Sequence, residues 1–231
     1  MMQSPLFRGA IGLTMALLLG IVPAQAQNDN VVDTKHNLSV SSGGTDPTGG
    51  NLVDYGEVCV YCHTPHGGQT SAPLWNRNFS SATYSMYDAN HSSTIDMTVD
   101  SQPTGISMAC LSCHDGTIGL DVIINAPNSY SGSIPPTVDG VNTMPPGNTL
   151  LDTDLRNDHP ISVAYDPSKD TAFNTAASVK AAGLKLYVDE SAPGVEKVQC
   201  ASCHNPHNNT YAPLLRIDNS ASNLCLTCHI K

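Results

Sequence analysis

The pentapeptide Cys59-Val60-Tyr61-Cys62-His63 decides the fold, because the same pattern recurs three more times along the chain. The other copies are 110-CLSCH-114, 200-CASCH-204 and 225-CLTCH-229. C-x-x-C-H is the attachment signature of c-type haem. Two thiols on one turn of chain can bond to the two vinyl groups of a haem, and the histidine that follows supplies one ligand to the iron. The sequence therefore predicts four covalently bound haem c groups.

Every cysteine of the chain belongs to one of these motifs. The predicted thioether residues are Cys59, Cys62, Cys110, Cys113, Cys200, Cys203, Cys225 and Cys228. The predicted proximal iron ligands are His63, His114, His204 and His229. Zinc sites, redox disulfides and disulfide frameworks also use C-x-x-C. None of them requires a histidine directly after all four pairs, so haem attachment is the favoured interpretation.

Each iron of an electron-transfer haem also needs a distal ligand, which is a nitrogen or a thioether sulfur. Five histidines lie outside the motifs, and the predicted distal ligands are His36, His66, His159 and His207. The fifth, His91, has the plainest surroundings and is left out. Alternative axial ligands are Met86, Met97, Met108 and Met144. Methionine is more often a core filler, so the histidines are preferred.

His66 and His207 each follow a proximal histidine by three residues. Side chains three apart on a helical turn project from the same side, with Cβ atoms about 5–6 Å apart. The two axial ligands of one iron approach from opposite faces, so His66 and His207 are expected to bind irons of neighbouring haems. His159 precedes Pro160, which favours extended backbone and a fixed side chain. His36 lies in a polar N-terminal arm.

The four motifs predict a multihaem cytochrome c fold with a core formed by stacked haems, and the composition predicts that the chain is mostly coil and turns, with short helices and few short strands. The chain has 18 glycines, 16 prolines and only 5% aromatic residues. A chain so rich in turn-forming residues needs covalent cross-links to offset the entropy cost of ordering it. One helix is predicted over residues 171–186 and a short strand over residues 119–125.

Residues 1–26 are predicted to be a cleaved signal peptide, because Arg8 precedes the apolar run 10–22 and an Ala-x-Ala cleavage site ends at Ala26. That run is shorter than the roughly 20 residues of a membrane span, so no transmembrane segment is expected. Residues 27–231 then form one tetrahaem domain with two diverged halves, about 27–150 and 151–231. The halves share an internal repeat, 59-CVYCHTPHGGQTSAPL-74 and 200-CASCHNPHNNTYAPL-214.

The formal net charge of −10 bears on the choice of partners. A polyanion repels the phosphate backbone, so nucleic acid is not an expected partner. The expected partners are other cytochromes, extracellular electron acceptors and further copies of the same chain.

Several runs of residues resemble a known family. They are CVYCHTPHGG at 59–68, APLWNR at 72–77, CLSCHDGT at 110–117, DHPISVAYD at 158–166 and CASCHNPHNN at 200–209. These runs are similar to the outer-surface multihaem c-type cytochromes of metal-reducing bacteria, and most similar to the tetrahaem filament-forming (outer-membrane cytochrome E-like) type. The resemblance implies bis-histidine haems, alternating parallel and T-shaped haem packing, and a filament in which one distal histidine comes from the neighbouring subunit. His36 is the predicted donor, because an N-terminal arm can leave its own fold at small entropic cost.

The expected function is extracellular electron transfer along four closely spaced haems, in a conductive filament at the outer cell surface. One alternative is a discrete periplasmic electron shuttle with the same haems. A second is a multihaem reductase, which needs an open iron with a catalytic side chain above it. Since the spare histidines can fill every axial position, no enzymatic activity is expected.

Overall fold

Short helices and single turns, separated by irregular chain, make up a computed structural model that describes residues 30–135 and 141–230. The helices are α1 (Ile106–His114), α2 (Ala176–Ala181), α3 (Cys200–Cys203) and α4 (Asn223–Cys228). Single 3₁₀ turns lie at Val31–Asp33, Val40–Ser42, Cys59–Tyr61, Leu155–Asn157 and Ser220–Ser222. Strand β1 (Val163–Ala164) pairs antiparallel with β2 (Lys197–Val198), with Val163 opposite Val198. The prediction of a mostly irregular chain with short helices and few strands is confirmed.

The predicted signal peptide, residues 1–26, lies outside the described residues. Among the residues that are described, no helix combines the length and the apolar composition that a membrane crossing requires.

The helix predicted over 171–186 is shorter in the structure and occupies only Ala176–Ala181. It begins after Thr175, whose hydroxyl accepts a hydrogen bond from a backbone N–H of the first turn at 3.2 Å. It ends before Gly183, whose φ of +104° is in the left-handed region that glycine tolerates. Val179 on this helix is fully buried, so α2 packs against the core along one face.

The strand predicted over 119–125 is wrong, since the structure has no strand there. The backbone carbonyl groups of Gly119, Leu120 and Val122 instead accept hydrogen bonds from the guanidinium group of Arg77, at 2.8–3.0 Å. A side-chain donor therefore takes the place of a neighbouring strand. Apolar residues of this segment, such as Ile123, are buried without forming a sheet.

The buried apolar residues form three separate clusters. The first contains Met97, Val163, Tyr165, Val179 and Leu184; the second contains Tyr55, Val60, Tyr61 and Ile123; the third contains Tyr84, Met86, Leu111 and Leu155. Met86 and Met97 thus act as core fillers. The first and third clusters combine residues from both predicted halves of the chain, so the halves interlock. A haem-stacked core stays a prediction.

Buried polar contacts join α1 to α3. The Ser107 hydroxyl donates to the side-chain oxygen of Gln199 at 2.5 Å, and the backbone N–H of Cys200 donates to the Ser107 oxygen at 3.0 Å. Ser107 and Gln199 are both buried. Since these helices carry the second and third C-x-x-C-H motifs, the contacts hold those two motifs side by side.

Candidate haem-binding site

All four C-x-x-C-H motifs adopt one helical turn. The first begins with the turn Cys59–Tyr61, the second ends α1, the third forms α3, and the fourth ends α4. In the first, third and fourth motifs the histidine N–H donates to the carbonyl oxygen of the first cysteine, with N···O distances of 2.8, 3.1 and 2.9 Å. Both thiols and the imidazole therefore project from a single turn, which is the arrangement that haem attachment requires.

None of the eight cysteines is in a disulfide. Burial, followed by the charges of other thiols, raises the pKa of the Cys62 thiol to about 12. The thiols of Cys110 and Cys200 share a hydrogen bond, which raises the pKa of Cys110 and lowers that of Cys200. The second and third haem attachment points therefore touch.

A backbone carbonyl orients three of the four proximal histidines. The Nδ1 atom lies 2.7 Å from the Pro73 oxygen in His63, 2.7 Å from the Thr149 oxygen in His114, and 3.1 Å from the Pro213 oxygen in His204. A histidine that ligates a metal through one ring nitrogen commonly donates from the other to a carbonyl, which fixes the tautomer and the ring orientation. With Nδ1 donating, Nε2 of each ring is left to bind iron.

Three pairs of imidazole rings lie with their centroids at nearly equal distances. The ring centroids are 6.1 Å apart for His36 and His114, 6.2 Å for His63 and His207, and 6.5 Å for His159 and His229. Each pair joins a predicted proximal ligand to a predicted distal ligand. The rings of His63 and His207 are inclined by 21°, and those of the other two pairs by 69° and 74°.

These centroid distances fit a metal held between two imidazoles. Two metal–nitrogen bonds of about 2.0–2.1 Å, extended at each end by the radius of a five-membered ring, place the ring centroids about 6 Å apart. A porphyrin supplies the four equatorial ligands of its iron, so two opposed imidazoles complete the set. Within the described ranges, no group of three or more His, Cys, Asp or Glu side chains could hold a bare metal ion.

His36 has the most enclosed surroundings of the predicted distal ligands. Its Nδ1 atom is buried and has no hydrogen-bond partner in the described part of the chain. Burial first, and then the charges of His114, His207 and His204, lower the pKa of His36 to about 4. The ring is therefore neutral at physiological pH, which is the form that binds a metal.

The first and third motifs continue into segments that share two backbone features. We call residues 59–77 and 200–216 the first and second clamps. In each clamp the residue after the proximal histidine donates its N–H to the leucine of Ala-Pro-Leu, from Thr64 to Leu74 at 2.9 Å and from Asn205 to Leu214 at 2.8 Å. Both leucines have positive φ, 51° and 61°. The internal repeat in the sequence thus corresponds to a repeated local structure.

His66 and His204 are the predicted ligands that remain after the three ring pairs. Both are exposed, and the His66 carbonyl oxygen accepts a hydrogen bond from Asn125 at 3.1 Å. His91, which is not a predicted ligand, is also exposed and packs edge-on against Tyr87 with ring centroids 5.0 Å apart.

Sequence reasoning missed the side chains that hydrogen-bond to the backbone of the motifs. Asn76 is fully buried, and its amide donates to the Val60 carbonyl oxygen inside the first motif at 2.7 Å. Arg216 donates in the same way to the Ala201 carbonyl oxygen inside the third motif at 2.7 Å. The signal was the recurrence of a polar side chain shortly after Ala-Pro-Leu in both copies of the repeat.

The comparison with known families agrees with this geometry. Residues 192–231 match the family described as the doubled CXXCH motif. This pairing indicates a multihaem c-type cytochrome. The CXXCH motifs indicate covalent binding of haem c and electron transfer. No curated protein gave a significant match.

Proposed function

We propose that this chain is a tetrahaem cytochrome in which every iron is held by two imidazoles and which relays electrons along its haems. The three histidine pairs carry the proposal, because each combines one residue of a C-x-x-C-H motif with one histidine outside the motifs, at the separation that a shared iron requires. Haem c supplies one-electron chemistry when bound, and the protein supplies spacing, ligation and orientation.

The internal repeat indicates the two ligands of the fourth iron. His207 lies three residues after His204 and pairs with His63 of the first clamp. The reciprocal arrangement assigns His66, three residues after His63, to the iron held by His204. With both axial positions of every iron filled, no substrate can reach the metal, so we expect electron relay and no enzymatic activity.

Spectroscopy of the haem-loaded protein tests this proposal. Four bis-histidine haems predict a fully low-spin ferric electron paramagnetic resonance spectrum and no binding of carbon monoxide to the reduced protein. A high-spin signal together with carbon monoxide binding would indicate an open iron and favour the reductase. Mass spectrometry gives the number of haems, for which we expect four.

We also propose that the protein works outside the cell as a filament, which rests on the resemblance of its motif runs to filament-forming cytochromes. His36 pairs with His114 of its own chain, so His36 can serve a neighbouring subunit only if the N-terminal arm, residues 30–37, is exchanged between copies. Two long hydrogen bonds of 3.4 Å join the arm to the second clamp: the Thr34 hydroxyl donates to the Pro206 carbonyl oxygen, and the Asn209 amide donates to the Asp33 carbonyl oxygen. Exchange of an identical element would rebuild the same histidine pair between subunits.

The discrete periplasmic shuttle is the second candidate, and the pairing of His36 with His114 within one chain favours it. Negative-stain electron microscopy of the wild-type protein, His36→Ala and His91→Ala separates the two. Filaments from the wild type and His91→Ala, but not from His36→Ala, would support arm exchange. Filaments from His36→Ala would refute His36 as the donor, and monodisperse wild-type particles would favour the shuttle.

A further inference from the structure

A side chain hydrogen-bonds to a backbone carbonyl inside every C-x-x-C-H motif. In the first motif Asn76 donates to Val60 at 2.7 Å, and in the second Arg77 donates to Ser112 at 2.8 Å. In the third motif Arg216 donates to Ala201 at 2.7 Å. In the fourth, Asn174 donates to Leu226 and to Thr227, both at 3.1 Å. The first and fourth motifs are thus supported by a neutral amide. The second and third are supported by a guanidinium group, which is always charged.

Arg77 is a fully buried cation with only neutral acceptors. Its exposed fraction is 0%, and its two terminal nitrogens donate four hydrogen bonds, all to backbone carbonyl oxygens. Its Nε atom is buried and has no partner among the described residues. None of the acceptors is a carboxylate, so the positive charge acts on its surroundings through a medium of low dielectric constant.

Arg216 repeats this arrangement at the third motif with less burial. The side chain is partly buried; its Nε atom donates to the Ala201 carbonyl oxygen, and Nη2 donates to the Tyr187 hydroxyl at 3.1 Å. Both acceptors are neutral. The Arg216 charge also acts on Cys203 of the same motif, as the Arg77 charge acts on Cys62 of the first motif.

A cation near a haem favours the reduced state, because reduction of ferric to ferrous iron adds one electron and removes one positive charge. Burial and hydrogen bonding around a haem are recognised means of setting its potential. We propose that Arg77 raises the reduction potentials of the haems attached by the first and second motifs, and that Arg216 raises the potential of the haem attached by the third. The two arginines would thereby set where electrons reside along the relay. The inference rests on the proposed function, since it requires haem at those motifs.

Buried carboxylates near the second motif oppose the effect of Arg77. Asp115, directly after His114, accepts a hydrogen bond from the Tyr84 hydroxyl at 2.5 Å, and Asp121 accepts hydrogen bonds from the Val53 N–H and the Asn142 amide. Neither carboxylate accepts a hydrogen bond from Arg77, and Oδ1 of Asp121 is buried without a partner among the described residues. They are present in the wild type and in an Arg77 variant alike, so the difference between the two proteins isolates the arginine.

Haem-resolved redox titration by nuclear magnetic resonance tests the inference. Arg77→Gln and Arg216→Gln remove the charge, whereas Arg77→Lys and Arg216→Lys keep it and lose the fork of donors. Lys180→Gln is the control, because it removes one positive charge at the surface. The Lys180 side chain is 45% exposed and forms an ion pair with Glu196. In the titration, dithionite is the reductant and supplies one electron to each ferric iron.

Arg77→Gln is expected to lower the potentials of the first- and second-motif haems most, and Arg216→Gln that of the third-motif haem. The expected size is about tenfold in the reduction equilibrium constant, or about 59 mV for a one-electron couple. The lysine variants should keep most of the wild-type potential, and Lys180→Gln should leave all four unchanged. Equal shifts in the glutamine and lysine variants would refute the inference, because they would show a structural effect rather than a charge effect.

The failure of this inference differs from the failure of the proposed function. Four low-spin haems with unchanged potentials in Arg77→Gln and Arg216→Gln would overturn the role of the arginines and leave the relay intact. If Arg77→Gln does not accumulate with four haems, Arg216→Gln decides, since Arg216 is only partly buried and has fewer hydrogen bonds to lose. An unchanged potential in that variant refutes the inference.

Discussion

Replacement of Lys197 by methionine should destabilise the protein more than any exposed charge replacement. The Lys197 side chain is 1% exposed, and its ammonium group lies 2.6 Å from the Asp100 carboxylate and 3.3 Å from that of Asp189. It also donates to the Ser191 hydroxyl at 2.7 Å. Methionine fills a similar volume but leaves both carboxylates without their cation.

The magnitude follows from the burial of the partners. Removal of one partner from a buried ion pair costs about 3–5 kcal/mol. Asp189 is 9% exposed, but Asp100 is 26% exposed and can be partly solvated. We therefore expect the lower end, about 3 kcal/mol, which lowers the melting temperature by about 6–12 °C for a chain of this length. Because Lys197 is three residues before Cys200, the loss should loosen the third motif.

Thermal unfolding of the haem-loaded protein, followed by circular dichroism, measures this loss. The matched control is Lys180→Met, which breaks the ion pair of Lys180 and Glu196, whose side chains are 45% and 31% exposed. Exposed pairs of this kind contribute at most about 1 kcal/mol. A Lys197→Met protein no less stable than Lys180→Met would refute the assignment of Lys197 to a buried, stabilising ion pair.

Three further predictions concern single positions. His207→Ala should leave one iron of four without its distal ligand, so one quarter of the haem becomes high-spin in paramagnetic resonance, while His91→Ala should leave all four low-spin. Burial raises the pKa of Asp54, but hydrogen bonds to its carboxylate outweigh burial and lower the pKa to about 2; the stabilisation is present above the unfolded pKa of about 3.9 and is lost as the pH falls through about 2. Urea unfolding should accordingly show the largest deficit for Asp54→Asn above pH 4, and a deficit that is as large at pH 2 as above pH 4 would contradict this. Leu111→Ala should cost about 2–5 kcal/mol in the same assay, because Leu111 is 0% exposed.

The motifs and the irregular fold were predictable from the sequence, because both depend on local chemistry. C-x-x-C-H needs only one helical turn, and the chain forms that turn at each copy, as at Cys59–Tyr61 and Cys200–Cys203. The abundance of glycine and proline limits helices to short lengths. α2 is an example, since Thr175 and Gly183 set its limits more tightly than its run of alanines implied.

Long-range contacts were not predictable, because no local pattern encodes them. The apolar residues around Ile123 are compatible with a strand, yet the chain satisfies its carbonyl groups with Arg77, more than 40 positions earlier. The distal histidines could be named as candidates from their number, but their partners depend on tertiary folding. The pairing of His36 with His114, which the sequence alone left open, required the structure.

The measurement that tests the central claim most directly is an electron cryo-microscopy structure of the haem-loaded protein, read for the two axial ligands of each iron. We predict irons between His36 and His114, between His63 and His207, and between His159 and His229, with the fourth iron held by His204 and His66. Irons bound by water or methionine, or by histidines paired in another order, would contradict the account.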